Sequence, residues 1–269
     1  SSFQIWNAHM PFVPYDDRPV SIDEGSREVR LPHETGVSLT TRDHENEYKR
    51  VSMAQLMTET NYLNPDIEVI AEVNTPASFE TFGESINTGH GVIGTTHSED
   101  VETLVNRVIE QGLPPYLLRE IDLVVFPHHV DGERYVAEAV EFVSAGGTDE
   151  LGADGAVARP GLPAGVVEKD GRRIHWNTVA ERDTDGQFHH DYAHPQLGGA
   201  ERDVGHRLFH RIADATDRPV EAVEAEFHRK RRYVEYLVRE GITDFDRLFE
   251  FVSDLRTDEA ATVERLGRR

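Results

Sequence analysis

Short runs of branched apolar residues alternate with longer stretches of helical spacing through the first half of the chain. Residues 18–23, 36–41, 67–73 and 92–96 predict strands. Residues 28–31 read as extended too, joined to 36–41 by a Pro32-His33 turn. Between them, 53–61 and 78–87 predict helices, stopped by Asn64-Pro65 and Gly89, and Ser98 caps a further helix through Glu110. Residues 2–10 read as a helix end with Phe3, Ile5 and Trp6 on its apolar side, broken by 11–17. Strand–helix alternation over 67–110 is the pattern of a mainly parallel α/β sheet. Farther on, 114–120 predicts a short helix, and 121–130 with 135–143 a hairpin about Asp131-Gly132. Residues 144–165, rich in Gly, Ala, Pro and Asp, read as a loop or insertion. A hairpin about Asp170-Gly171 follows over 166–182, then helices over 202–215, 219–239 and 244–254, with Pro219 at a helix start. The expected organisation is a core at 1–143, a flexible insertion at 144–165 and a C-terminal hairpin and helical part at 166–269.

Composition sharpens this picture. Hydrophobic residues make up 38% of the 269, enough for a packed core. Fifty acidic residues against 28 basic ones leave a net charge of −22, which repels phosphates and argues against nucleic acid as a partner. Lysine occurs only at Lys49, Lys169 and Lys230. An acidic, lysine-poor chain suits molar salt, where screening is nearly complete beyond roughly 3 Å, so a halophilic, archaeal source is expected. The absence of cysteine excludes disulfides and thiolate metal sites. No apolar run approaches the ~20 residues of a membrane span. The start at Ser1-Ser2-Phe3, without methionine, reads as the middle of a gene.

Two segments carry candidate chemistry. The apolar run Ile67-Glu68-Val69-Ile70-Ala71-Glu72 ends in a carboxylate, the arrangement that sets an acid beside Mg²⁺ or an attacking water in phosphate-transferring sheets. Held among apolar neighbours, Glu72 is expected to have a raised pKa. The plainer alternative is a glutamate on an edge strand. In the stretch 88–97, His90 and His97 flank a short strand, with Gly89 and Gly91 permitting close backbone approach. A His at the C-terminal end of a strand stands where α/β sheets bind ligands. The alternative is a pair of satisfied loop histidines. His189, His190 and His194 form a further candidate cluster, and His206 and His210 share a helix face. Neither has a zinc-protease arrangement. Arg229-Lys230-Arg231-Arg232 reads as a solvated helix face, or else as a docking patch for an acidic partner or membrane surface. Phe245, Leu248, Phe249 and Val252 lie at core spacing.

Taken in order, these segments resemble a known family. Asn64-Pro65-Asp66, Ala71-Glu72-Val73, and Thr88-Gly89-His90-Gly91 through Thr95-Thr96-His97 resemble the Walker B and His-box motifs of type II/IV secretion and pilus or archaellum assembly ATPases. The stretch 20–24 with 27–34 resembles the acidic box of the archaeal branch. Segments 119–125 and 233–245 fit the same pattern. The resemblance implies the C-terminal ATPase domain of such a protein: an α/β, RecA-like P-loop ATPase core, here without its P-loop, with a C-terminal helical subdomain. It implies a hexameric ring of copies, bound at the cytoplasmic face of the membrane to a polytopic platform protein, where ATP with Mg²⁺ powers a filament or secretion system. Asp23 and Glu24 would stand near the γ-phosphate and the metal or water. Glu72 would support Mg²⁺ and water, and His90 and His97 would sense the nucleotide.

The pattern also departs from the family. No GxxxxGK[ST] loop occurs. In the family it lies just before the segment that opens this chain, so Ser1 or Ser2 stands where its last residue would be, with Ser1 a potential Mg²⁺ contact. The Glu-Val-Arg-Gly that usually closes Walker B is replaced by Asn74-Thr75 after Val73, and arginines usual before Walker B are missing; Arg27, Arg30 or Arg42 is the substitute. Two rivals to a motor follow: a weakly or non-hydrolysing ring subunit, and a protein-interaction module docking through the helices after Arg202.

Overall fold

The computed structural model describes residues 7–130, 132–143, 164–169, 171–189 and 207–267. The chain is a mixed α/β protein and divides into two compact units, one of Ser1–His97 with Glu235–Arg269, the other of Ser98–Val234. The boundary expected at 143 thus falls inside the second unit.

The first unit is built on a parallel sheet. Its strands are β1 (Pro19–Asp23), β2 (Val37–Thr40), β3 (Ile67–Ile70) and β4 (Gly91–Gly94), in the order β2-β1-β3-β4. Two helices connect them, α1 (Met53–Thr60) and α2 (Pro76–Ile86). Both begin with reciprocal caps. Ser52 Oγ accepts from Gln55 N while Ser52 N donates to Gln55 Oε1, and Thr75 pairs likewise with Ser78 ahead of Pro76. Every residue of β1 is buried, as expected of a parallel strand covered on both faces. The register Val20↔Glu68↔Val92 and Ile22↔Ile70↔Gly94 assigns those residues to one face. On the other face Val69 joins Met10, Val13 and Val29 in a buried cluster, against which Leu31, Ile67, Ile93 and Phe245 pack. Phe245 opens the helix that the spacing of 244–254 anticipates. Residues 28–31 join no ladder, and the amides of Glu28, Val29 and Arg30 donate to Asp23 and Asn7 instead of a neighbouring strand.

The second unit begins with α3 (Val101–Glu110), which buries Val101, Leu104, Val105 and Val108. Its cap is Asp100, whose Oδ1 accepts from Thr103 N at 2.7 Å, and not the expected Ser98. A 3₁₀ segment Pro115–Glu120 leads into an antiparallel sheet of β5 (Val124–Val130), β6 (Glu133–Val143), β7 (Ala164–Lys169) and β8 (Arg172–Arg182). The order is β5-β6-β8-β7, and β9 (Phe188–His189), which sequence pattern does not reveal, pairs with β8. Pro127 sits on the edge strand β5 at a register shift, where its missing N–H costs no ladder bond. Helices α4 (Arg207–Thr216) and α5 (Val220–Arg239) pack through Phe209, Ala213 and Val223. The long α5 supplies residues to each unit. Beyond it lie α6 (Phe245–Thr257), capped by Asp244, and α7 (Glu259–Gly267), which the sequence reading leaves unassigned. Phe3, Ile5, Trp6, most of the 144–165 insertion, and His190, His194 and His206 lie outside the described residues. Among the described residues, no helix is long and apolar enough to cross a membrane.

Candidate functional site

Register builds the site. Ile22 of β1 and Ile70 of β3 are paired, so Glu24 and Glu72, each two residues farther on, emerge side by side from the C-terminal edge of the sheet. β4 adds the third member. Val73 N donates to Thr95 O at 2.7 Å and Thr95 Oγ1 donates to Ala71 O, tying the segment after β3 to the one leading to His97. His97 Nε2 then meets Glu72 Oε1, with His97 70% exposed and Glu72 28% exposed. Glu24, Glu72 and His97 thus form one cluster on a partly open edge.

The two carboxyls are shifted in opposite directions. Glu24 is held above the usual carboxylate range by its hydrogen bond to Glu72, by desolvation and by the charges of Glu72 and Glu28. For Glu72, burial is the largest single influence and pushes upward, but hydrogen bonds from Asn74, Glu24 and His97, with the His97 charge, outweigh it and hold the acid below its ordinary value. The raised pKa expected at Glu72 is therefore found at Glu24. Burial alone pointed the other way, and the donors that reverse it come from three separate segments. The resulting arrangement favours charge on Glu72 over charge on its neighbour Glu24, which suits an acid that must bind a cation or orient water.

Asp23 turns inward. It is fully buried, and its Oδ1 accepts from Glu28 N at 3.2 Å and Val29 N at 3.0 Å while Ser21 Oγ donates to Oδ2 at 3.2 Å. It holds the 24–29 loop on the sheet. Gly25 completes that turn at φ +72°, its N–H donating to Thr41 Oγ1 at 2.9 Å. Arg27 is exposed on the same loop. Arg30 reaches away: its Nη2 meets both Asp246 oxygens, at 2.7 and 2.8 Å, and its guanidinium lies 4.2 Å over the Phe245 ring. Arg42 Nε donates to Lys49 O at 2.6 Å.

The histidines separate. His90 precedes β4 and His97 follows it, so a strand of four residues, roughly 13 Å long, lies between them. His90 acts instead on Glu68. Ser1 and Ser2 lie outside the described residues. His189 pairs with Asp183 at 2.6 Å, and among the described residues no group of three or more acidic or His side chains is disposed to hold a metal. In the basic run, Lys230 meets Glu226 at 2.6 Å. Asn74, noted in the sequence only as a departure from a motif, proves to be a donor to Glu72, and no periodicity signals that contact.

No family profile matches the chain. An uncharacterized protein of Methanocaldococcus jannaschii is 26% identical over 102 residues, which are 38% of this chain and 18% of that protein. Among solved structures, the VirB11 ATPase of the Brucella suis type IV secretion system aligns at 24% identity and a TM-score of 0.43, over 51% of this chain and 44% of that one. The ATPase DotB of Legionella pneumophila aligns at 17% identity and a TM-score of 0.37, over 46% and 36%. DotB of Yersinia pseudotuberculosis gives 18% and 0.37, over 46% and 34%. The chain spans less than half the length of each of these relatives.

Proposed function

We propose that the chain is the acid-bearing part of an ATP-hydrolysing motor of the secretion and filament-assembly kind, with a RecA-like first unit. The observation that carries this reading is the meeting of Glu24, Glu72 and His97 at the C-terminal ends of neighbouring parallel strands. An interaction module needs no such cluster.

Glu72, ionised and oxygen-bearing, fits a hard cation such as Mg²⁺, which keeps several waters and phosphate ligands of its own. When bound with ATP, that ion neutralises charge on the phosphates. Glu72 would orient the attacking water, and Glu24, hydrogen-bonded to Glu72, would stand at the same point. Asn74 steadies Glu72, and Asp23 steadies the loop bearing Glu24. His97, largely exposed beside Glu72, would answer a change there and pass it to a neighbouring copy in a ring. A polytopic membrane protein as platform, and a position at the inner face of the membrane, complete the reading.

One observation favours a non-hydrolysing ring subunit. Arg30, a substitute for the arginines that act on the phosphates, is engaged with Asp246 and Phe245. Arginines in that role contribute about 10³–10⁵ in rate.

The test is ATP binding and turnover in concentrated KCl, by this chain and by the chain continued upstream through the expected phosphate loop. The motor reading expects the longer form to hydrolyse ATP, and Glu72→Gln to abolish turnover while binding persists. Binding without turnover in the unsubstituted protein selects the non-hydrolysing subunit. No binding by either form ends both readings.

A further inference from the structure

Glu68 is the second residue of β3, on the sheet face that α2 covers, level with Val20 of β1 and Val92 of β4. It is 0% exposed, and neither carboxyl oxygen has a protein partner. Ser85 of α2 faces it, also 0% exposed and with its hydroxyl unpartnered; the two stand outside hydrogen-bond geometry. The titratable group that acts on Glu68 from the neighbouring elements is His90, half-buried before β4, while Glu80 and Glu84 of α2 are exposed. β1 and β4 present only Val20 and Val92 at this level. An acid so placed is expensive to ionise, because nothing replaces the water that its charge loses. Burial accordingly raises its pKa, outweighing Ser85 and His90, which act the other way.

We propose that Glu68 is a buried proton-binding switch: the folded sheet holds it as the neutral acid, and its ionisation loosens the packing of β3 against α2, the two elements that flank Glu72 in the chain. The device is independent of whether the chain hydrolyses ATP. A folded-state pKa above the unfolded one means that the folded state binds more protons between the two values. The stabilisation is therefore complete below the unfolded pKa and is lost as pH rises through the folded one.

The experiment compares guanidinium unfolding of the whole chain and of Glu68→Gln from pH 4 to pH 9 in concentrated KCl. The ratio of the two unfolding constants should grow by up to about tenfold per pH unit within the window between the two pKa values, then level off. Hydrogen exchange of β3 and α2 amides, corrected for intrinsic rates, should accelerate over the same window in the unsubstituted chain and not in Glu68→Gln. Glu68→Leu serves as a second non-ionising variant and should give the same pH-dependent ratio; it carries the comparison alone if the glutamine variant does not fold. A ratio independent of pH overturns the proposal, since a purely packing role shifts stability uniformly. Unchanged amide protection across the window overturns it as well.

Discussion

Replacing Asp23 with alanine removes three hydrogen bonds at one point, those from Ser21 Oγ, Glu28 N and Val29 N. Their losses are unequal. Val29 is 1% exposed, so its N–H is left without a partner, at a cost of about 1–3 kcal/mol. Glu28 is exposed and its N–H recovers water, leaving a net loss of about 0.5–1 kcal/mol. Ser21, 0% exposed, loses an acceptor but can turn its hydroxyl, for about 1 kcal/mol. The total is about 2.5–5 kcal/mol, a sizeable share of the roughly 5–15 kcal/mol that holds a domain folded. It should appear as a drop in melting temperature on the order of 10 °C. Asp23→Asn keeps one oxygen for the two backbone donors and should lose only about 1 kcal/mol. Circular dichroism melts and guanidinium titrations of both variants decide the matter. If Asp23→Ala lies within about 0.5 kcal/mol of the unsubstituted chain, the ordinary range of a surface change, the loop-holding role is wrong. If Asp23→Asn is as damaging as the alanine, charge and not bonding geometry governs the position, and a direct part in the chemistry becomes the better account.

Three further outcomes are expected. Lys230 and Arg218 hold Glu226 down to about 2 from an ordinary 4.5, so its stabilisation is present above the unfolded pKa and is lost as pH falls from there toward 2. With those cations 69% and 38% exposed, Glu226→Gln should cost only about 1 kcal/mol near neutrality, and the gap should close in acid-unfolding curves below pH 3. A Cβ at Gly94 would stand 3.0 Å from Phe82 Cε2 and 3.5 Å from Val73 Cγ2, so Gly94→Val should force α2 outward and cost about 1–3 kcal/mol in chemical denaturation, with Gly94→Ala much milder. Arg207 donates to the carbonyls of Phe142 and Arg119 and lies beside the buried Glu141, so Arg207→Met should destabilise by about 2–4 kcal/mol. The double variant with Glu141→Gln should recover part of that loss in a thermodynamic cycle.

Much of the first unit was legible because its signals are local. A run such as 67–73 is too short and too branched to be anything but a buried strand, and its partners at 18–23 and 92–96 read the same way. The helix over 244–254 was read from its start at Asp244, which caps it, whereas the Thr75 cap was passed over and its helix begins at Pro76, two residues before the expected start. Signals weaken where two residues compete for one role. Ser98 and Asp100 are both good caps, and it is Asp100 that accepts from Thr103 N. β9 is two residues long and exists only because β8 offers an edge. The α7 segment, a short polar helix leading off α6, has little pattern of its own.

At the candidate site, residue type and strand position were enough to single out Glu72 and His97, since an acid or imidazole just past a buried strand stands at the sheet's edge, whereas Glu24 entered only through the resemblance of 20–24 to an acidic box. What each does depended on contacts between segments far apart in the chain. Register brought Glu24 against Glu72 and moved the raised pKa from one to the other. Asp23 was turned inward by two amides of the following loop, and Arg30 was drawn to Asp246, 216 residues away. His90 and His97, seven residues apart, were sent to opposite ends of one strand. Hydrophobic period and capping are local properties of the chain, written in its order of residues. Proton ownership, donor count and burial are sums over neighbours in space, and those neighbours are chosen only when the sheet closes and its helices pack.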